Sequence, residues 1–99
     1  MKLEQAAKQL AQLGHTSRLS IYRLLIRAGR TGLVVGDIAK HLSIPNSTLT
    51  HHLGKMMDAG LLVQQKHKQS RICIAQVDNF KQLITFLQHD CCADSNESC

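Results

Sequence analysis

Large aromatic side chains are almost missing from this chain: Tyr22, Phe80 and Phe86 are the whole set, and there is no tryptophan among its 99 residues. A core with so few rings is modest, and a small domain built on one often gains stability by forming an oligomer. No apolar run approaches membrane-spanning length, and the N-terminus lacks the apolar centre of a signal peptide, so the expectation is a cytoplasmic protein that does not enter a membrane. No acid–base pair, nucleophile–base set or phosphate-binding loop stands out, which makes an enzyme the weakest reading. A structural disulfide is not expected in that compartment.

The charges and thiols that are present are unevenly placed. Twelve lysines and arginines meet only four acids up to His89, giving that body +8, while Asp90, Asp94 and Glu97 make the last ten residues −3. A basic body points to a polyanionic partner, most simply nucleic acid. Cys73 stands alone, whereas Cys91, Cys92 and Cys99 crowd the C-terminus, and clustered thiols in a cytosolic protein point to metal binding or redox chemistry. An unselected tail with exposed thiols is the plainer alternative. The division that follows is one domain over residues 1–89 and a flexible, acidic, Cys-rich tail over 90–99.

Hydrophobic periodicity orders the elements. Leu3, Ala6, Ala7, Leu10 and Leu13 share one face of a first helix stopped by Gly14. Hydroxyls in His15-Thr16-Ser17 are placed to cap a second helix, Arg18 to Ala28, whose centre is apolar nearly all round. Gly29 and Gly32 bracket a turn. Val35 to Leu42 forms a short third helix with Val35, Ile38, Ala39 and Leu42 inward. Ser43-Ile44-Pro45 then leads tightly into a fourth, in which Leu49, Leu53, Met56 and Met57 make a buried stripe at i, i+4, i+7 and i+8. Pro45 suits its first turn and Gly60 its stop. Residues 61–65 and 71–75 read as two strands joined by a polar loop, Lys66-His67-Lys68-Gln69-Ser70. Asp78 or Asn79 caps a last helix from Phe80 to about His89, with Phe80, Leu83, Ile84 and Leu87 in one stripe. Such a chain is mainly α with a small β-hairpin: a winged helix-turn-helix, dimerising through its first and last helices.

The fourth helix carries the chemistry. Away from its apolar stripe lie Asn46, Ser47, Thr48, Thr50, His51 and Lys55. A helix in the major groove needs short donors and acceptors near its N-terminus, which Asn46, Ser47, Thr50 and His51 supply; Lys55 suits a phosphate. Lys66, Lys68 and Arg71 around the hairpin would grip backbone or minor groove, positioning without specifying sequence. The bland alternative, a solvated helix face beside an ordinary charged turn, would be preferred for the helix alone. The ordered set of helix, turn, helix and basic hairpin reverses that preference. His52 lies on the flank of the stripe, and its expected role is packing, with one ring nitrogen satisfied by a helix-end carbonyl. His51 and His52 point about 100° apart on a helix and are not a metal pair.

Two stretches carry a family resemblance. Leu13-Gly14-His15-Thr16-Ser17-Arg18-Leu19-Ser20-Ile21-Tyr22-Arg23-Leu24-Leu25 resembles the opening L-(A/G)-(D/H)-x-x-R-L-x-I-L-x-L-L of the ArsR/SmtB family. Thr50-His51-His52-Leu53, followed by Asp58-Ala59-Gly60-Leu61-Leu62, resembles that family's recognition-helix signature. The likeness covers roughly residues 3 to 89. It implies a homodimeric winged-helix repressor, paired through its first and last helices, that holds double-stranded operator DNA until an inducing metal or metalloid binds. It transfers DNA contact to Asn46, Ser47, Thr50 and His51, and a structural role to His52.

The chain departs from the family where ions are sensed. A Cys-x-Cys-Asp site at the third helix is replaced by Val34-Val35-Gly36-Asp37, and a last-helix Asp-x-His site has only His89 and Asp90. Cys91, Cys92 and Cys99 remain. Trivalent arsenic and antimony are soft centres satisfied by thiolates, so the resemblance to arsenic-responsive members with terminal sites implies As(III) or Sb(III) on these three thiols. Cys91 continues the Ile84–Leu87 stripe, and chelation by both neighbours would require the last turn to unwind. Methylarsenite, which keeps one carbon ligand, would need only Cys91 and Cys92. No cofactor is required for DNA binding on this reading. A thiol-redox repressor using the same cysteines is the alternative, since such thiols also form disulfides.

Overall fold

A computed structural model describes residues 1–96. Five helices and three strands follow in the order α1 (Leu3–Leu13), α2 (Thr16–Ala28), β1 (Leu33–Val34), α3 (Val35–Leu42), α4 (Asn46–Asp58), β2 (Leu62–His67), β3 (Ser70–Ala75) and α5 (Val77–Gln88), with a 3-10 turn at Gly29–Thr31. The strands form one antiparallel sheet in the order β1-β3-β2.

The core explains the arrangement. Ile21 and Leu25 of α2, Ile38 of α3, Leu49, Leu53 and Met56 of α4, and Leu61, Leu62 and Cys73 of the sheet are all sealed from solvent. Each large side chain buried this way contributes roughly 1.5–3 kcal/mol. The inward set assigned to α3 is found in place, with Ile38 fully buried and Val35, Ala39 and Leu42 packed beside it. β3 is the central strand, so Cys73 is covered on both sides. Its thiol accepts from Gln64 Nε2 at 3.6 Å, and burial pushes its pKa up, against the smaller opposing effect of that bond.

Several boundaries differ from the sequence expectation. The cap of α2 is not a hydroxyl: His15 is the capping residue, and its Nδ1 accepts from Ser17 N at 3.1 Å. Pro45 stands just before α4 rather than inside its first turn. β1 was not expected, because two residues give no periodicity to read. It is held by pairing Leu33 with Cys73 and Val34 with Ile72. The hairpin strands are longer than anticipated, and only Lys68 and Gln69 turn between His67 and Ser70. The last helix starts at Val77, so Asp78 and Asn79 lie inside its first turn. Asn79 instead ties α5 to the end of α4, its Nδ2 donating to Gly60 O at 2.7 Å.

The faces of α1 and α5 also depart from a single-chain core. Leu3 is 67% exposed, Leu87 53%, and Leu10 and Ile84 are also open, while Ala6, Gln9 and Leu83 are buried. The body measures 56 × 22 × 22 Å with a radius of gyration of 15.5 Å, against about 13 Å for a compact chain of this size.

Gly32 is the most crowded of the glycines. It has φ +70, and a Cβ there would stand 2.5 Å from Cys73 O. Gly32→Ala should therefore lower stability by about 2 kcal/mol or more, read as an earlier urea midpoint; an unchanged midpoint would show that β1 is not held as described.

Candidate nucleic-acid interface

The residues assigned to DNA contact fall on one exposed side of the molecule's helix-turn-helix. Burying Leu49, Leu53 and Met56 fixes the rotation of α4, and Asn46, Ser47, Thr48, Thr50, His51 and Lys55 are consequently all exposed. α3 leads into α4 through Ser43, whose φ of 53 gives the left-handed turn. Ile44 N reaches back to Ala39 O at 3.1 Å to close it. α4 therefore starts with free backbone donors and short side chains at the end that a groove would meet first.

The hairpin supplies the second part. Lys66 and Arg71 are directly paired across β2 and β3, and Lys68 is at the tip with φ 57. All three are exposed. Lys66 therefore belongs to a strand rather than to the loop, and its pairing with Arg71, in β3 as expected, gives the two fixed spacing. A groove of about 400 Å³ joins the two parts, lined by Thr50 and Gly54 of α4, by Gln64, Gln69, Ser70 and Arg71 of the hairpin, and by Val34 to Gly36. Gln64, Gln69 and Ser70 were not singled out from sequence. The β2–β3 register that brings them to α4 leaves no local signal.

His52 is buried as expected, at 8% exposure, but its partner differs. No helix-end carbonyl reaches its ring. Arg18 Nη1 lies 3.4 Å from His52 Nδ1, while Arg18 Nε donates to Gln12 O, the carbonyl at the end of α1, at 2.6 Å. A guanidinium can only donate, so Nδ1 is the unprotonated nitrogen. Burial, then the charge influence of His15, Arg18, His51 and Lys55, lowers the pKa of His52. His51 stays exposed, with its ring centre 6.3 Å from that of His52.

The terminal cysteines lie in a different setting: against the expectation of no disulfide, Cys92 is disulfide-bonded. α5 ends at Gln88, so Cys91 does not continue its stripe. Turns with φ 61 at Asp90 and φ 63 at Cys92 follow, and they bring Cys91 Sγ to 3.4 Å from Cys92 Sγ. The unwinding thought necessary for joint chelation is already present. Cys91 is exposed. Cys99 lies outside the described residues. Among those residues no group of three or more His, Cys, Asp or Glu side chains is placed to hold a metal ion. Nor, among the described residues, is any helix long and apolar enough to cross a membrane.

Helix, tight turn, exposed second helix and basic antiparallel hairpin define a winged helix-turn-helix domain. Residues 13–65 match the model of the helix-turn-helix domain family, and the chain belongs to that family. The HTH-type transcriptional regulator YgaV of Escherichia coli (strain K12) is 33% identical over 66 residues; the match covers 67% of this chain and 65% of that relative's length. A solved ArsR family transcriptional regulator superposes with a TM-score of 0.81 at 17% identity, over 99% of this chain and 98% of the other. Another structure, described as a possible transcriptional regulator for arsenical resistance, gives 0.70 at 22% identity over 91% and 98%. By family the chain carries a helix-turn-helix domain, and it shares the winged-helix fold of these solved regulators.

Two substitutions separate the parts of the interface. Lys68→Ala should weaken binding to all duplexes alike and reduce the slope of log affinity against log salt by about 1. Thr50→Ala should instead change sequence preference, by about 1–3 kcal/mol at the position it meets. Fluorescence anisotropy on matched and altered duplexes at several salt concentrations distinguishes them.

Proposed function

We propose that the chain is a homodimeric repressor that holds a pseudo-palindromic operator in the absence of inducer and leaves it when As(III) or Sb(III) is bound by Cys91, Cys92 and Cys99. The carrying observation is the one exposed face on which the polar side of α4 meets the basic hairpin. It offers base-reading groups and backbone-gripping cations at fixed separation, and major-groove readers require both. Asn46, Ser47, Thr48, Thr50, His51 and Lys55 are the reading set; Lys66, Lys68 and Arg71 are the anchoring set.

Dimerisation rests on the open apolar side chains of α1 and α5. Leu3, Leu10, Ile84 and Leu87 are exposed in the single chain, and its elongated form buries less than a compact domain of this length would. A second copy covering these helices supplies the missing burial and sets two recognition helices on successive major grooves.

The inducer reading is supported by the donor set. Once the disulfide at Cys92 is reduced, the sulfur atoms of Cys91 and Cys92, 3.4 Å apart, suit one thiophilic ion far better than a hard cation. Two thiolates suffice for methylarsenite, and inorganic As(III) or Sb(III) calls on Cys99 as third ligand. An inducer can release DNA only by favouring a dimer geometry that misplaces the two recognition helices. The likeness to a structure described for arsenical resistance agrees with this reading. The rival is a redox repressor on the same thiols.

Titration of the reduced apo protein with arsenite should consume three thiols per ion, and Cys91→Ser should abolish release from the operator. Loss of only two thiols with arsenite, alongside full release by methylarsenite, would reassign the inducer to the methylated form. Release by oxidant with no response to either arsenical would favour the redox repressor.

A further inference from the structure

Three features remain outside this account: a groove lined by Leu19, Tyr22, Leu24 and Phe80 between α2 and α5, the buried amide of Gln9 with no partner among the described residues, and the cluster of cations at the joint of α1, α2 and α4. The third is tied directly to the DNA-reading helix.

Arg18 stands at this joint. Its Nε holds Gln12 O at the end of α1, and its Nη1 faces His52 on α4 at 3.4 Å. One planar fork therefore links the α1–α2 corner to the recognition helix. The His15 ring lies 5.1 Å from that of His52, tilted by 52°, and its own Nδ1 is occupied as the acceptor that caps α2. Both rings use an unprotonated nitrogen to accept a hydrogen bond. A proton on either converts that acceptor into a donor facing another donor, and so removes the bond it makes. The titratable and charged groups acting on His52 are His15 and Arg18 from the α1–α2 side and His51 and Lys55 from α4; none is acidic. An added proton has no carboxylate among them to receive it.

We propose that Arg18 is a positioning residue for the recognition helix, acting through neutral His52, and that proton uptake at this joint releases α4 from its DNA-binding orientation. The sign of the effect is diagnostic. Protonating an exposed histidine on a DNA-binding face adds a positive charge toward phosphate and strengthens binding. Protonating His52 weakens it. Because the folded state lowers the pKa of His52 from 6.5, the neutral ring contributes stability fully above that value, and the contribution is lost as pH falls through the lower folded value.

This inference rests on α4 being the DNA reader, so one arm of its test uses no DNA. Nitrogen-15 NMR of the free protein should show His52 protonated at Nε2 with Nδ1 bare; the opposite tautomer, or a His52 already charged at neutral pH, overturns the proposal. The second arm follows operator affinity between about pH 8 and 5. Wild-type affinity should fall by up to about tenfold per pH unit once His52 binds its proton, below 6.5. His52→Gln, which presents an acceptor to Arg18 but takes up no proton, should lose this acid limb, whereas His51→Gln should retain it. Arg18→Lys cannot serve Gln12 O and His52 together and should weaken binding across the range. An acid limb that persists in His52→Gln, an Arg18→Lys profile matching wild type, or affinity that only rises on acidification overturns the proposal. A chain with the expected tautomer that binds no duplex at any pH would fail the DNA-reading assignment instead.

Discussion

The packing of Leu49, Leu53 and Met56 against Ile21, Leu25 and Ile38 is the constraint on which the rest depends. A helix advances about 100° per residue, so anchoring three residues of one stripe leaves α4 no freedom to turn about its axis. Rotation by a single position would carry Thr48 or Thr50 into an apolar core with no partner for its polar atoms. The outward display of Asn46, Ser47, Thr50 and His51 is therefore a consequence of core packing. Interior burial costs the surface nothing and gives it a fixed orientation, which a groove reader needs.

Most of this was legible from residue spacing. The stripe at i, i+4 and i+7 gave α4 its inward face, and the change to short apolar runs after Gly60 gave the hairpin. Contacts between elements distant in sequence were harder to read. Nothing local pairs Leu33 with Cys73, so β1 is invisible until β3 is in place. His52 was legible as a packing residue from its place beside the stripe, but its partner, Arg18, lies 34 positions earlier and is set by how α2 crosses α4. Likewise His15 was passed over as a cap because imidazole is an uncommon capping group beside the hydroxyls of Thr16 and Ser17. The end of α5 was legible to within a residue, about His89 against Gln88, but not the positive φ at Asp90 and Cys92 that takes Cys91 off its stripe.

The molecule divides its tasks by chemistry as well as by position. The domain proposed to read DNA is basic, with exposed hydrogen-bonding groups held by a buried stripe. The proposed inducer thiols follow the last helix in short turns, where Cys91 and Cys92 approach each other without disturbing the core. Between them lie the apolar faces of α1 and α5, which a second copy would cover. On this account a soft ion acts at the end of the helix that joins the protomers, and its effect on DNA passes through dimer geometry rather than through the core of one protomer.

The central claim is that α4 reads DNA as one half of a symmetric pair. Selection of bound duplexes from a random-sequence library, with the apo protein, tests it most directly. The account predicts an enriched sequence with two-fold symmetry and half-sites about 34–36 Å apart, one turn of the duplex or a multiple of it, bound by two chains. Enrichment of an unsymmetric single site bound by one chain, or no enrichment at all, would contradict it.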